Sequence, residues 1–510
     1  MSKVKSDALF VLIKSLKRSE KRYFKLAEGE SGSKKYVLLF NLIDKQINYN
    51  EDKILISDRS LKPSQMSNLK AHLYQKILQS LRMYNASSLP NIQLHEMIDH
   101  AQLLFNKGLY GQCEQVLKKA KKIARNADNL ELQLEILKWE KQILSHNIGK
   151  DIQSKVDEIV RSAKEVSTRI NNINSFTNLQ VKFDAIYKKI GFIRNKSDFQ
   201  KIQNVFIINL PAVTEKDLSV SEKISLYSLY IGYYSFIQDF EKSEQYAEDW
   251  VQLFDGDRAL RTSRTGEYIS GLNNLLIAQS KLLKYEGFQK TKKELRLVGK
   301  LSTVAVNENL KLRLLKYSYV HEFNWLFMVG DFEMGVRLIE RLKDNLEQFI
   351  EQLDLHSRII MFYKTACLYF GNDDFKNAVV WLNKIINLSD VDLREDIHGF
   401  ARILNLISHY ELGNIELIQY NVRSTYRFLS KKADLHEFQR YILNFLKKLE
   451  VTMTDEELTI HFNKLRSRLI PLSENKYEKR AFIYFDIISW LESKIESRPV
   501  RDVIKEKSRI

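Results

Sequence analysis

An all-α fold is what this sequence predicts: an α-solenoid of long helical hairpins behind an N-terminal helical module. Three observations carry that expectation. Breakers are scarce, with 5 Pro and 17 Gly in 510 residues, and a sheet protein needs more of both for its turns. Apolar residues recur at i, i+4 and i+7 along most of the chain, the period of an amphipathic helix. A small polar knot followed by an aromatic or aliphatic anchor recurs at intervals of 40 to 48 residues, a period that marks stacked repeats.

Residues 1–85 read as a basic helical module, with helices near 5–27, 34–47, 50–57 and 64–84. This stretch holds 17 Lys/Arg against 8 Asp/Glu, so more than half of the net charge of +16 sits in a sixth of the chain. Such asymmetry points to an anionic partner. On the first helix Lys14, Lys17, Arg18, Lys21, Arg22 and Lys25 fall at i, i+3, i+4, i+7, i+8 and i+11, one continuous basic stripe. Leu9, Leu12, Ile13 and Leu16 form its opposing apolar face. Like charges four residues apart cost a few tenths of a kcal/mol per pair, which an anionic surface relieves. The small polar stretch "NASSLPN" (85–91) reads as a linker.

Residues 92–470 carry the hairpins. Their anchors are Tyr110, Ile152, Phe199, Phe240, Phe288, Phe332, Phe375 and Ile415. The knot before each anchor, as in "YFGNDDF" (369–375), ends one helix and caps the next. Three residues on, the side chain is usually small (Cys113, Ser243, Thr291, Gly335, Ala378), so two helix backbones approach closely. Seven residues on stand Leu117, Ile159, Phe206, Ala247, Leu295, Ile339, Leu382 and Val422, all apolar. Residues 210–223 read as an inter-hairpin loop. Thr454 followed by Glu457 reads as a capping box that opens a later helix. Residues 476–496 are expected to form a capping helix that closes the array, and residues 497–510 a flexible tail.

"GDFEMGVRLIERL" (330–342) and "NDDFKNAVVWLNKI" (372–385) resemble the tetratricopeptide-repeat family, whose unit carries Gly-Asp-aromatic, then Ala three residues later. The resemblance covers about residues 92–430 and implies a right-handed α-solenoid that binds partners on its concave side. The units here are longer than the family's, and its closing proline is absent, which implies longer helices and irregular curvature. The first module resembles bacterial repeat proteins that open on a segment of the "LIKSL…SEKRYFKL" type; that likeness implies no activity.

Two widely separated cysteines, Cys113 and Cys367, argue against a disulfide scaffold or thiolate zinc site. The apolar run at 8–13 is short and ends at Lys14, so neither a secretory signal nor a membrane span is expected, and the cytoplasm is the expected location. In "HEMIDH" (95–100) the histidines are five apart, which rotates them about 140° from each other on a helix. His100 falls at a core-type position, and no metal is expected. Gly299-Lys300 lacks the other residues of a phosphate loop. Cys367, on an apolar helix, reads as a buried thiol, and Asp373-Asp374 as helix caps.

No enzyme constellation and no cofactor are therefore expected. The sequence points to a non-enzymatic scaffold that binds a protein or peptide segment in the groove, with the basic N-terminal surface as a docking face. Placing each hairpin by its anchor turns Tyr317, Phe327, Tyr363, Phe370, Phe400 and Tyr410 toward the concave side as partner contacts. The alternative is a nucleic-acid-associated regulator using the basic module.

Overall fold

A computed structural model describes residues 8–29, 34–86, 90–146, 152–193, 195–388, 392–432, 435–449, 453–475, 477–479, 482 and 485–508; of 343–345 and 348 it describes the backbone alone. Among these residues the structure is all-α, with no strand. No described helix is long and apolar enough to cross a membrane. The chain forms two compact units, Met1–Ile170 and Asn171–Ile510.

The N-terminal unit opens with α1 (Ala8–Ser15), α2 (Arg18–Glu28), α3 (Lys35–Lys45), α4 (Glu51–Ser57) and α5 (Pro63–Asn85). Their apolar faces meet in one core, with Ile13, Leu39, Phe40, Ile43, Leu73 and Ile77 fully buried. The expected single helix over 5–27 is instead two. Lys17 is extended (φ −68°, ψ 158°), and its N–H donates to Glu20 Oε2 at 2.7 Å. The Glu20 carboxylate thus satisfies an amide that a continuous helix would have used. Pro90 opens α6 (Pro90–Asn106), followed by α7 (Tyr110–Asn126), α8 (Leu130–Leu144) and α9 (Ile152–Ile190), within which the boundary between the units falls. A second core forms between α6, α7 and α8 around Leu94, Ala101, Leu117 and Ile136. Residues 87–89 of the expected linker, and 149–151 of the knot before Ile152, lie outside the described residues.

The C-terminal unit continues through α10 (Lys196–Asn209), α11 (Val220–Phe236), α12 (Phe240–Gln252), α13 (Arg258–Ser263), α14 (Thr265–Lys281) and α15 (Tyr285–Val298). Then come α16 (Ser302–Val306), α17 (Glu308–Val329), α18 (Phe332–Glu351), α19 (Leu355–Gly371), α20 (Phe375–Ile386), α21 (Glu395–Glu411) and α22 (Ile415–Lys431). Last are α23 (Glu437–Lys448), α24 (Asp455–Glu474), α25 (Ile487–Ile495) and α26 (Val500–Ser508). Adjacent helices pair as α11/α12, α14/α15, α17/α18, α19/α20 and α21/α22, and the first helix of each pair also packs on the first helix of the next. Polar contacts cross that layer: Arg264 to Ser221, Arg313 Nη2 to the Gly266 carbonyl, His321 to Asn273, Lys364 to Asn324.

One turn joins these helices in both units. A residue in the left-handed region (Gly108, Asp128, Gln238, Leu283, Gly330, Asp373, Gly413) ends the first helix. The next N–H donates to the carbonyl five residues back, as from Leu109 to Leu104 at 3.0 Å, Asp331 to Leu326 at 3.0 Å and Asp374 to Tyr369 at 3.0 Å. This six-to-one bond satisfies a helix-end carbonyl. The Asp239, Asp331 and Asp374 carboxylates then accept from the N–H three residues on, capping the second helix. Anchors Tyr110, Phe240, Phe332, Phe375 and Ile415 are each the first residue of their helix. Two anchors depart from the expected register. The turn at Leu283 makes Tyr285, not Phe288, the equivalent position, and Phe199 lies inside α10, which Asn195 caps. All eight residues seven positions after the expected anchors are nonetheless buried. Thr454 and Glu457 form the expected reciprocal cap, Thr454 N donating to Glu457 Oε2 at 2.9 Å.

Within the C-terminal unit the end of α9 meets the start of α21. The Arg394 N–H donates to the Lys188 carbonyl at 2.8 Å, and its guanidinium lies 5.2 Å over the Tyr187 ring. Gly191 sits so close to Asp396 that a Cβ there would lie 2.1 Å from the carboxylate. The chain after α24 also returns to earlier elements. Lys479 Nζ donates to the Gln238 carbonyl at 3.2 Å, Phe485 meets Phe370 at 5.0 Å, and Trp490 donates to Glu411 at 2.6 Å. Within the expected capping segment 476–496 the helix is α25; residues 476, 480, 481, 483 and 484 lie outside the described residues. The segment expected to be a flexible tail forms α26, because Val500 and Val503 share a face and are buried. α26 packs against the Gly330 turn, and Arg501 lies 3.8 Å from Asp373.

Candidate functional site

The six cations of the N-terminal stripe do not form one continuous row, because the break at Lys17 reorients α2 relative to α1. Lys14, Lys21 and Lys25 engage their own unit. Lys21 pairs with Asp44 at 2.6 Å, and Lys14 Nζ donates to the Asp44 carbonyl at 2.7 Å. Lys25 lies 5.5 Å over the Phe40 ring. Lys14, Arg18 and Arg22 are exposed, while Lys17, Lys21 and Lys25 are half-buried. Leu9, Ile13 and Leu16 face the core as expected.

The six aromatics divide as sharply. Tyr363, Phe370 and Phe400 are buried in the largest apolar cluster and so present no surface to a partner. Against the expectation that they face a partner, the chain's own residues cover them: Phe485 packs on Phe370, and Phe438 stacks on Phe400 at 5.6 Å. Tyr410 is half-buried beside Trp490, 6.3 Å away. Tyr317 and Phe327 are half-buried, under Lys316 and Lys364 respectively.

The first-helix layer also holds a polar file that the sequence reading missed. Lys364 Nζ donates to Asn324 Oδ1 at 2.6 Å. The Asn324 amide faces His321 Nδ1 at 3.3 Å, and His321 Nε2 faces Asn273 Oδ1 at 3.0 Å. The amide donor at Nδ1 leaves the proton on Nε2, so the ring is neutral in one tautomer. Burial, then the positive charges of Lys364 and Lys292, hold the imidazole at about 3. Burial also lowers Lys281 to about 7 and Lys364 to about 8, with Arg394 acting on both. Arg394 forks onto Asp396 at 2.9 and 2.8 Å. These contacts set half-buried Lys281 and Lys364 and the buried Arg394–Asp396 pair among apolar helices, unlike the apolar groove expected. The available signal was a lysine inside an apolar run, "LLIAQSKLL" (275–283) and "IIMFYKTACLYF" (359–370), which amphipathic patterning reads as a solvent position.

The remaining candidates are structural. Cys367 is buried, its thiol pushed up to about 12 by burial. Cys113 is buried and donates to the Ala101 carbonyl at 3.2 Å. His95 and His100 are both exposed on α6; His100 is not a core residue, because Leu94, Ile98 and Ala101 define the buried face. Among the described residues no group of three or more His, Cys, Asp or Glu is arranged to hold a metal. The chain matches no known protein family and no curated protein.

Proposed function

We propose that the chain is a cytoplasmic, non-enzymatic protein-interaction scaffold. In this reading it is a right-handed solenoid of tetratricopeptide-like hairpins that holds an extended partner segment against its inner helices, with the basic N-terminal surface as a second docking face. The observation that carries the reading is intramolecular: Phe485 and Trp490 lie against Phe370 and Tyr410. The inner aromatics thus already accept a returning segment with rings at intervals, the chemistry a partner segment would bring. The recurring left-handed turn and the polar contacts between neighbouring first helices support the hairpin-repeat part of the reading.

The test is capture from native lysate on the immobilised full chain, with and without nuclease. A protein partner is expected to survive nuclease, and Phe485→Ala is expected to raise its capture by freeing the inner face. The second reading, a nucleic-acid-associated regulator, draws on exposed Lys14, Arg18 and Arg22. It predicts that capture vanishes with nuclease and that duplex DNA binding falls with salt at a slope of about −0.9 per phosphate neutralised. Replacing Lys14, Lys17, Arg18, Lys21, Arg22 and Lys25 by Gln would then flatten the slope. Capture that survives nuclease and is unchanged in both Phe485→Ala and the six-Gln variant would sink both readings.

A further inference from the structure

An open cleft of about 510 Å³ lies between α15, α17 and α18. Of the polar file described above, His321 lines it. Two cationic pairs face it: Lys292 and Arg296 on α15, Arg337 and Arg341 on α18. Each pair is spaced i, i+4, so each puts two like charges about 6 Å apart along its helix. A helix left to itself gains nothing from that spacing. Glu322 is the one carboxylate among the lining residues, and it serves both α15 cations, at 3.4 Å to Lys292 and 2.9 Å to Arg296. Across the cleft, among the described residues, Arg337 pairs with Glu333 of its own helix, at 2.5 Å, and both side chains are largely exposed. Positive charge therefore exceeds negative on both walls.

The floor is apolar. Leu295 and Leu326 are buried, Leu338 is half-buried, and Met334 stands exposed at the rim. A ligand that satisfies this cleft needs an apolar face and negative charges along both edges. A single small anion fits poorly, because the four cations are spread along two helices instead of converging on one point. Carboxylates four residues apart on a helical peptide have the same 6 Å spacing as each cationic pair, and helix-in-groove docking reads such anchors. The volume lies within the usual range for binding clefts of about 300–1,000 Å³.

We propose that this cleft binds an acidic amphipathic peptide segment of a partner, its leucine-type side chains on the floor and its carboxylates between the α15 and α18 cations. The lowered affinity of Lys292 for its proton, caused first by burial and only partly offset by Glu322, agrees with a cation short of counter-charge.

The probe is a fluorescein-labelled helical peptide of about three turns, with Leu on one face and Glu at i, i+4 on its flanks. Its binding to the purified full chain is read by fluorescence polarisation, beside an otherwise identical Gln peptide. The Glu peptide is expected to bind about tenfold more tightly than the Gln peptide, and to weaken as salt screens the charges. Arg337→Gln with Arg341→Gln, both exposed and so neutral to folding, is expected to remove about that tenfold. Lys118→Gln with Lys122→Gln, an exposed pair of the same spacing on α7, is expected to change nothing. Equal binding of the two peptides, no binding of either, or undiminished binding to the Arg337/Arg341 variant would overturn the proposal. So would displacement of the peptide by millimolar inorganic phosphate, which would make this a point-anion site.

Discussion

The two units use the same turn to different ends. In the N-terminal unit the left-handed residues Gly108 and Asp128 simply reverse the chain between neighbouring helices. The contacts there stay local, as in Asn129 to Asn91 and Lys121 to Glu140. In the C-terminal unit the turns at Gln238, Gly330 and Asp373 are also docking points for the returning chain, through Lys479, Lys505 and Arg501. The N-terminal unit keeps two separate apolar cores and pairs its cations near the surface. The C-terminal unit buries Arg394, Asp396 and His321. A local rule is enough to make hairpins, but joining distant ones takes long-range polar contacts, as from Arg394 to Lys188.

The contact at Arg394 is where this contrast breaks most readily. Asp396→Asn removes the carboxylate onto which the buried Arg394 guanidinium forks and should cost about 3–5 kcal/mol. Amide exchange should rise over residues 184–193 and 394–400 and stay unchanged over residues 9–143; unchanged protection at 184–193 would mean that this pair does not hold the two segments together.

Acid should separate the units next. His321 is held at about 3 in the folded chain, against an ordinary value near 6.5 when unfolded. Below the ordinary value the unfolded chain takes up a proton that the folded one refuses. Stability is thus present above about pH 6.5 and falls as pH drops toward 3, by roughly 2 kcal/mol at pH 5. His321→Gln should flatten that part of the pH profile of unfolding of the C-terminal unit. An unaltered profile would assign the loss to other groups.

A matched pair of glycine substitutions tests the double use of the turn. Gly108 and Gly330 have φ of +74° and +67°, so alanine at either should cost about 1–2 kcal/mol in backbone strain. At Gly108 a Cβ meets nothing, whereas at Gly330 it lies 3.0 Å from the Lys505 nitrogen. Gly330→Ala should therefore also loosen α26, seen as faster exchange over residues 500–508. Equal effects of the two substitutions would mean that the turn at Gly330 carries no docking role. The smallest effect belongs to Glu20→Ala, which removes the acceptor for the Lys17 N–H and should cost about 1 kcal/mol or less. Its signature is faster exchange at Lys17, with the C-terminal unit unaffected.

Much of this was legible in the residues. The helical class, the Thr454–Glu457 cap and the buried positions seven after each anchor follow from periodicity and capping chemistry, which act within a few residues. The break between α1 and α2 was not legible, because no glycine or proline marks it and the apolar spacing runs through it. It rests on one carboxylate reaching back three residues. The register slipped at "YEGF" because Tyr285 and Phe288 are both aromatic, three apart, and only the turn at Leu283 distinguishes them. The candidate site fared worse. Tyr363, Phe370 and Phe400 read as groove aromatics, but rings from later in the chain cover two of them, Phe485 on Phe370 and Phe438 on Phe400, and no local pattern shows that.

The returning segment has a consequence for synthesis. Lys479 bonds to Gln238 across 241 residues of chain, so the turn at Gln238 waits for its partner while all of that sequence is made. At about 5–20 residues per second the wait is roughly 10–50 s. During it the surfaces at Gln238, Phe370 and Tyr410 that Lys479, Phe485 and Trp490 later meet are formed but uncovered. An open row of hairpins completes each unit against its predecessor as it emerges; here the last thirty-odd residues decide when the first hairpins of the unit are finished. A nascent chain stalled before Lys479 would carry its helices intact and still offer their inner aromatics to chaperones or to neighbouring copies.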